Sequence, residues 1–320
     1  MMSLIRKIRD AIVKSYRIII SYDMPVIYHM VINRLKYRHH SDFRIADRPY
    51  KFQFIRRHYG HLIEKCRQNP ISNKPNEGPI WVCWWQGEDQ MPDIIRLCYA
   101  SLKKNATGDR PIIFLHSGNY STYADIPRYI LDKFERKLMS ITHFTDILRM
   151  TLLAKHGGLW IDASVFLSSK MPDSVFEKPY FTCTTPAYPN SIAQSKYTVF
   201  LLGAAAGAPW IVLARDVLYE YWKTSWALLD YMLVNYILTL GLNSIPELQA
   251  QIQECVYDTP HMTEIQDRRN DKCDPNLYHR MMSECSFYKL TYKLDFKEQD
   301  EHGNLTYYGM LRASTNTPSC

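Results

Sequence analysis

Residues 145–164 read Thr-Asp-Ile-Leu-Arg-Met-Thr-Leu-Leu-Ala-Lys-His-Gly-Gly-Leu-Trp-Ile-Asp-Ala-Ser, and this stretch decides how the chain folds. Helical spacing runs from Ile141 to Lys155, where Phe144, Ile147, Leu148 and Leu152 form one apolar stripe. Asp146 and Arg149 stand three apart and share a different face, the usual arrangement of an exposed ion pair of small worth. Gly157-Gly158 closes the helix, because glycine takes the left-handed cap conformation. Leu159-Trp160-Ile161 then reads as a short buried strand with Asp162 at its tip. A carboxylate there has two readings. It caps a turn, or it sits on a rigid element facing a ligand loop, where it holds a divalent cation against a phosphate leaving group.

Working outward, Ile80-Trp81-Val82-Cys83-Trp84-Trp85 is an apolar run bounded by turn residues and predicts a second buried strand. A loop (86–89), a helix (Met91 to Lys104) and a strand (Pro111 to His116) follow. Strand, loop, helix, strand opens a parallel α/β sheet. Ligands in such sheets sit beyond the carboxyl ends of the strands, which makes Trp84, Trp85 and Gln86 candidates. Neither GxGxxG nor GxxxxGK[ST] occurs, so a dinucleotide fold and a P-loop NTPase lose their main support. Further helices are expected at Ile126–Leu138, Ala208–Trp222 and Leu228–Leu240, and a late strand at Asn304–Tyr308 between Gly303 and Gly309. The Pro/Asn/Gly/Ser-rich segment 66–79 divides a helical extension (1–78) from the main domain (79–320).

The 320 residues suffice for one large α/β domain with an extension, and 46% hydrophobic with 22% charged residues is ordinary for a folded chain. The formal net charge is +7, and residues 1–40 carry nearly all of it: eight Lys or Arg stand against Asp10 and Asp23. A core so close to neutral argues against nucleic-acid binding. Leu4, Ile8, Ile12 and Tyr16 recur at helical spacing among those basic residues. They describe either a helix packed on the main domain or a basic amphipathic helix on an anionic membrane. Eight scattered cysteines without a CxxC pair exclude a zinc ribbon and suit reduced thiols. No signal peptide is visible, and the apolar run 18–32 is too interrupted to span a bilayer. The expected location is cytoplasmic, peripheral on the inner face of the membrane.

Thr145-Asp146-Ile147-Leu148-Arg149 followed by His156-Gly157-Gly158-Leu159-Trp160-Ile161-Asp162-Ala163-Ser164 resembles the capsular polysaccharide synthesis proteins. It is also similar to glycosyltransferases with a DXD sugar-binding region, which include mannosyltransferase-like enzymes and, more distantly, the large clostridial glucosylating toxins. The resemblance runs from about residue 79 to 312 and is strongest over 142–167. It implies a GT-A-type fold with a Rossmann-like mixed sheet, a UDP- or GDP-linked sugar donor, Mg²⁺ or Mn²⁺, a glycan acceptor that is lipid-linked, and retention of anomeric configuration.

Carried over, Asp146 and Arg149 contact donor sugar hydroxyls, and Asp162 contacts the ribose and the metal–diphosphate. Ser164 stands where many relatives carry the second, metal-chelating Asp. That departure weakens the expected metal pair Asp162 and Ser164, since a hydroxyl binds hard cations less well than a carboxylate. Trp84, Trp85 and Gln86 fall near the donor base. Asp230, in an Asp-Tyr pair also seen in relatives, is the candidate catalytic base or a helix N-cap. Lys293, in a late segment similar to the family's, is a candidate diphosphate cation or a solvated lysine. Two alternatives remain at this level: a sugar-phosphate transferase of capsule assembly, and a non-catalytic, membrane-attached scaffold that Ser164 favours. Specificity falls to loops around 116–125 and 183–200.

Overall fold

The computed structural model describes residues 2–37, 43–69, 71, 73–106, 110–185 and 190–316, with the side chains of 2–5 and 316 outside that description. Arg38 of the basic segment, the Leu4 side chain, Pro70 and Ser72 of the linker, residues 186–189 of the 183–200 loop, and Cys320 therefore lie outside the described residues. The chain forms two compact units. One comprises Met1–Ile71, Ala124–Thr151 and Pro209–Gln249, and the other Ser72–Tyr123, Leu152–Ala208 and Ala250–Cys320.

The second unit is mixed α/β. Its strands are β1 (Ile80–Cys83), β2 (Ile112–Leu115), β3 (Gly158–Asp162), β4 (Val165–Leu167), β5 (Tyr180–Cys183), β6 (Leu201–Ala204), β7 (Val256–Tyr257) and β8 (Phe287–Lys289). Six of them make one sheet in the order β2-β1-β3-β6-β5-β7. β1 is parallel to β2 and β3, whereas β6 is antiparallel to both β3 and β5. Ile80, Trp81 and Val82 in β1, and Leu159, Trp160 and Ile161 in β3, are all buried, as continuous apolar runs in a covered sheet must be. Cys83 pairs with both Leu115 and Asp162, so the three parallel strands end level with one another.

The helix Asp93–Asn105 lays Ile94, Ile95, Cys98 and Leu102 into the core beneath them. β4 and β8 form a separate antiparallel ribbon whose Phe166, Leu167, Phe287 and Tyr288 join the same core. The strand expected at Asn304–Tyr308 is instead a pair of isolated bridges at Leu305 and Thr306 leading into the helix Tyr307–Asn316. Tyr307, Tyr308 and Leu311 bury together at helical spacing, and that periodicity overrides the flanking glycines.

The first unit is helical. It contains α1 (Met2–Ser21), α2 (Met24–Lys36) and the helices Arg48–Gln68, Arg128–Glu135, Pro209–Thr224 and Leu233–Ser244. The helix Ile141–His156 contributes its residues up to Thr151. Asp23 starts α2 by accepting from the Val26 N–H, with proline in the first turn. Trp210, Trp222, Tyr221, Tyr236 and Phe144 are almost fully enclosed. The helix expected over Leu228–Leu240 begins only at Leu233, because residues before it form a turn closed by the Asp230 carboxylate on the Met232 N–H.

Candidate functional site

Asp162 ends β3 at the carboxyl edge of the parallel strands, and its two oxygens have different partners. Oδ1 accepts from Trp160 Nε1 at 2.9 Å, and Oδ2 accepts from Lys289 Nζ at 3.1 Å. The same ammonium donates to Ser164 Oγ at 2.5 Å. Lys289 reaches this position because β8 pairs with β4 so that Val165 faces Lys289, while the Leu290 N–H donates to the Ser164 carbonyl at 2.8 Å. Phe200 lies 5.1 Å beneath the ammonium, a cation–π contact. The side chains of Asp162 and Lys289 are 29% and 24% exposed, enough for a ligand to reach both.

The far end of β3 is held by a clamp. Gly157 and Gly158 have φ of 67° and 103°, both in the region that favours glycine. A Cβ on Gly158 would stand 2.1 Å from the Pro79 carbonyl oxygen. Asn76, fully buried, accepts from the Gly158 N–H at 2.7 Å and donates to the Gly158 carbonyl at 3.0 Å. Trp81 Nε1 donates to the Gly157 carbonyl at 2.8 Å. These bonds fix the start of a short strand, and so fix where Asp162 emerges at its end.

Trp84 and Trp85 follow β1 at the same edge. Trp84 is half-buried and meets the Tyr292 ring edge-on at 5.2 Å, while Trp85 packs on Tyr120 at 5.3 Å. Gln86 is exposed. Lys293 is exposed too, and its ammonium lies 5.9 Å from the Tyr292 ring rather than on the carboxylate. The lysine that meets Asp162 is Lys289, four positions before the expected Lys293. Two consecutive buried aromatics, Phe287 and Tyr288, precede it in a three-residue strand, and no motif marks it.

Asp146, Arg149 and Asp230 belong to the helical unit. Arg149 Nη1 lies 3.2 Å from Asp146 Oδ1, and both side chains are largely enclosed, so this is not the exposed pair that helical spacing alone suggests. His143, one turn earlier, accepts from Trp222 Nε1 at 2.9 Å. Burial pushes its pKa down to about 3, which keeps the ring neutral. Asp230 accepts from Lys51 Nζ at 2.6 Å, and Asp47 lies 3.7 Å from the same ammonium. His156 bonds to the Tyr123 carbonyl at 2.8 Å.

The donor set around Asp162 does not fit a hard divalent ion. It offers one carboxylate, one hydroxyl and an ammonium resting on both. Among the described residues no group of three or more His, Cys, Asp or Glu is placed to hold a metal. An ion bonded to Ser164 Oγ at about 2.1 Å would stand at most about 4.6 Å from Lys289 Nζ, cation against cation.

A mixed α/β unit with charged groups converging at the carboxyl ends of its parallel strands has them where α/β domains bind ligands. The chain belongs to the capsular polysaccharide synthesis protein family, whose model matches residues 32–311. Membership supports a glycosyltransferase role in general. Among solved structures, the PaToxG glycosyltransferase is similar at 14% identity and a TM-score of 0.38, over 65% of this chain and 83% of that one. No curated protein sequence matches the chain.

Proposed function

We propose that the chain is a GT-A-type glycosyltransferase that moves a sugar, with retention, from a UDP- or GDP-linked donor to a glycan acceptor of capsule synthesis. The observation that carries this reading is Asp162 at the level ends of three parallel strands, with Ser164 and Lys289 converging on it. In the transfer, the bond between the anomeric carbon and the diphosphate oxygen breaks. Its electron pair leaves on the nucleoside diphosphate, and an acceptor hydroxyl oxygen bonds to the anomeric carbon. The hydroxyl proton passes to a base, for which Asp230 is our candidate. Trp84 and Trp85 offer ring faces to the donor base, with Gln86 beside them, and Asp146 with Arg149 are assigned to the sugar hydroxyls. Lys293 stays available to the outer diphosphate oxygens.

Hydrolysis of a nucleotide-sugar panel, with water as acceptor, tests the reading. We expect turnover of at least one UDP- or GDP-sugar and loss of donor binding in Asp162→Ala. Unchanged donor binding in that variant would remove Asp162 from the site. The acceptor is proposed to be lipid-linked, with α1 and α2 holding the enzyme at the membrane surface that carries it. Among the described residues no helix is long and apolar enough to cross a membrane.

A further inference from the structure

From the contacts of Lys289 we infer that its ammonium, and not a divalent metal, is the cation that receives the diphosphate leaving group. The inference rests on the donor reading above and concerns the same strand-end site. Lys289 is held in place from several directions. Its backbone N–H donates to the Met262 carbonyl at 2.7 Å, its strand pairs with β4, and Phe200 backs its ammonium at 5.1 Å. The Nζ therefore arrives at Asp162 and Ser164 as part of a built ribbon rather than as a free surface chain.

Two charge patterns meet a diphosphate equally well. A carboxylate pair with a divalent ion sums to zero charge and places a cation where the diphosphate arrives. A single carboxylate with a fixed ammonium sums to the same total and does so without a dissociable ion. Here a hydroxyl replaces the second carboxylate, and a lysine from a distant strand donates to that hydroxyl. The missing negative charge and the added positive charge go together. Keeping Asp162 and an ammonium at Ser164 leaves no need for an ion, and the closeness of Nζ to both oxygens opposes one. The Lys289 ammonium gives charge-assisted hydrogen bonds to the oxygens on which the electron pair settles when the anomeric bond breaks.

The test uses the full chain and a panel of UDP- and GDP-sugars, with hydrolysis measured after EDTA treatment and after Mn²⁺ or Mg²⁺ addition. UDP, GDP and the corresponding monophosphates are titrated alongside. We expect the same rate with EDTA as with metal. Lys289→Met should lower the rate about 10²-fold and weaken diphosphate binding while sparing monophosphate binding. Lys289→Arg should keep metal-independent turnover. The double variant Ser164→Asp/Lys289→Ala should regain turnover only with Mn²⁺. A wild-type rate that appears only with Mn²⁺ or Mg²⁺ overturns the inference and leaves the transferase reading standing, as does a folded Lys289→Met with the wild-type rate. If no nucleotide or nucleotide sugar binds under any condition, the transferase reading falls and the inference with it.

Discussion

Position 158 has to be glycine because the backbone there is left-handed and a Cβ would collide with the Pro79 carbonyl oxygen. Asn76 has to be an amide because Gly158 asks for both a donor and an acceptor. Replacing Asn76 with Ala leaves the Gly158 N–H and carbonyl buried without that partner, which costs about 1–3 kcal/mol. Gly158→Ala adds a clash and a disfavoured φ, for at least about 2 kcal/mol. Urea denaturation should show both losses, and donor binding should weaken in both variants because the strand that delivers Asp162 shifts. Stability close to wild type in Asn76→Ala would show that the clamp does not set the strand. These residues divide by legibility. Asp162 could be read from its own neighbours, since a double glycine and three apolar residues lead straight to it. Asn76 and Lys289 could not, because their partners lie more than eighty positions away in the chain, and an Asn in a Pro/Gly-rich segment looks like an ordinary loop residue.

Elements followed the same rule. β1, β2 and β3 showed in sequence because each is an apolar run without interruption, β2 included although it lies at the edge of the sheet. β6 did not, because its Gly203 and Ala204 pack tightly enough that a Cβ on Gly203 would already touch Phe181 at 3.0 Å. Small residues chosen for close sheet packing resemble a flexible loop when read one at a time. The helix Pro209–Thr224 was legible through its apolar spacing, but what ends it was not. Lys133, from the helix Arg128–Glu135, brings its buried ammonium onto the carbonyls of Trp222 and Ser225 and over the Trp226 ring at 4.7 Å. A cation at a helix carboxyl end serves both the unpaired carbonyls and the helix dipole. Lys133→Met keeps the apolar stem and removes the donor, so it should lower unfolding free energy by about 1–3 kcal/mol in urea titrations. No change would mean that solvent serves those carbonyls equally well and that the lysine only fills space.

At the scale of the molecule, charge and exposed apolar surface concentrate in the same place. The excess positive charge sits in residues 1–40, and α1 and α2 carry exposed Ile8, Ile12, Tyr16, Ile19, Met24 and Tyr28. On α1, Ile8, Ile12 and Ile19 share one face while Arg6, Lys14 and Arg17 occupy the other side. The segment before Leu233 adds two exposed aromatic rings, of which Trp226 lies directly at the contact with the junction of these helices. Trp226 and Tyr231 are exposed there, and the Trp226 N–H donates to Ser21 Oγ at 2.8 Å while Tyr22 donates to the Ala227 carbonyl at 2.7 Å. Apolar residues flanked by cations and interfacial aromatics match the chemistry of an anionic lipid surface. Each Lys or Arg near such a surface contributes about 1 kcal/mol, and apolar insertion adds to it. The chain should therefore co-sediment with phosphatidylserine-containing vesicles and not with pure phosphatidylcholine, and added salt should weaken the binding. Ile12 and Ile19 are 64% and 58% exposed, so Ile12→Asp/Ile19→Asp should leave thermal unfolding unchanged and release the protein from vesicles even at low salt. Equal binding to neutral vesicles, or retention of the double variant, would mean that these helices face something other than lipid.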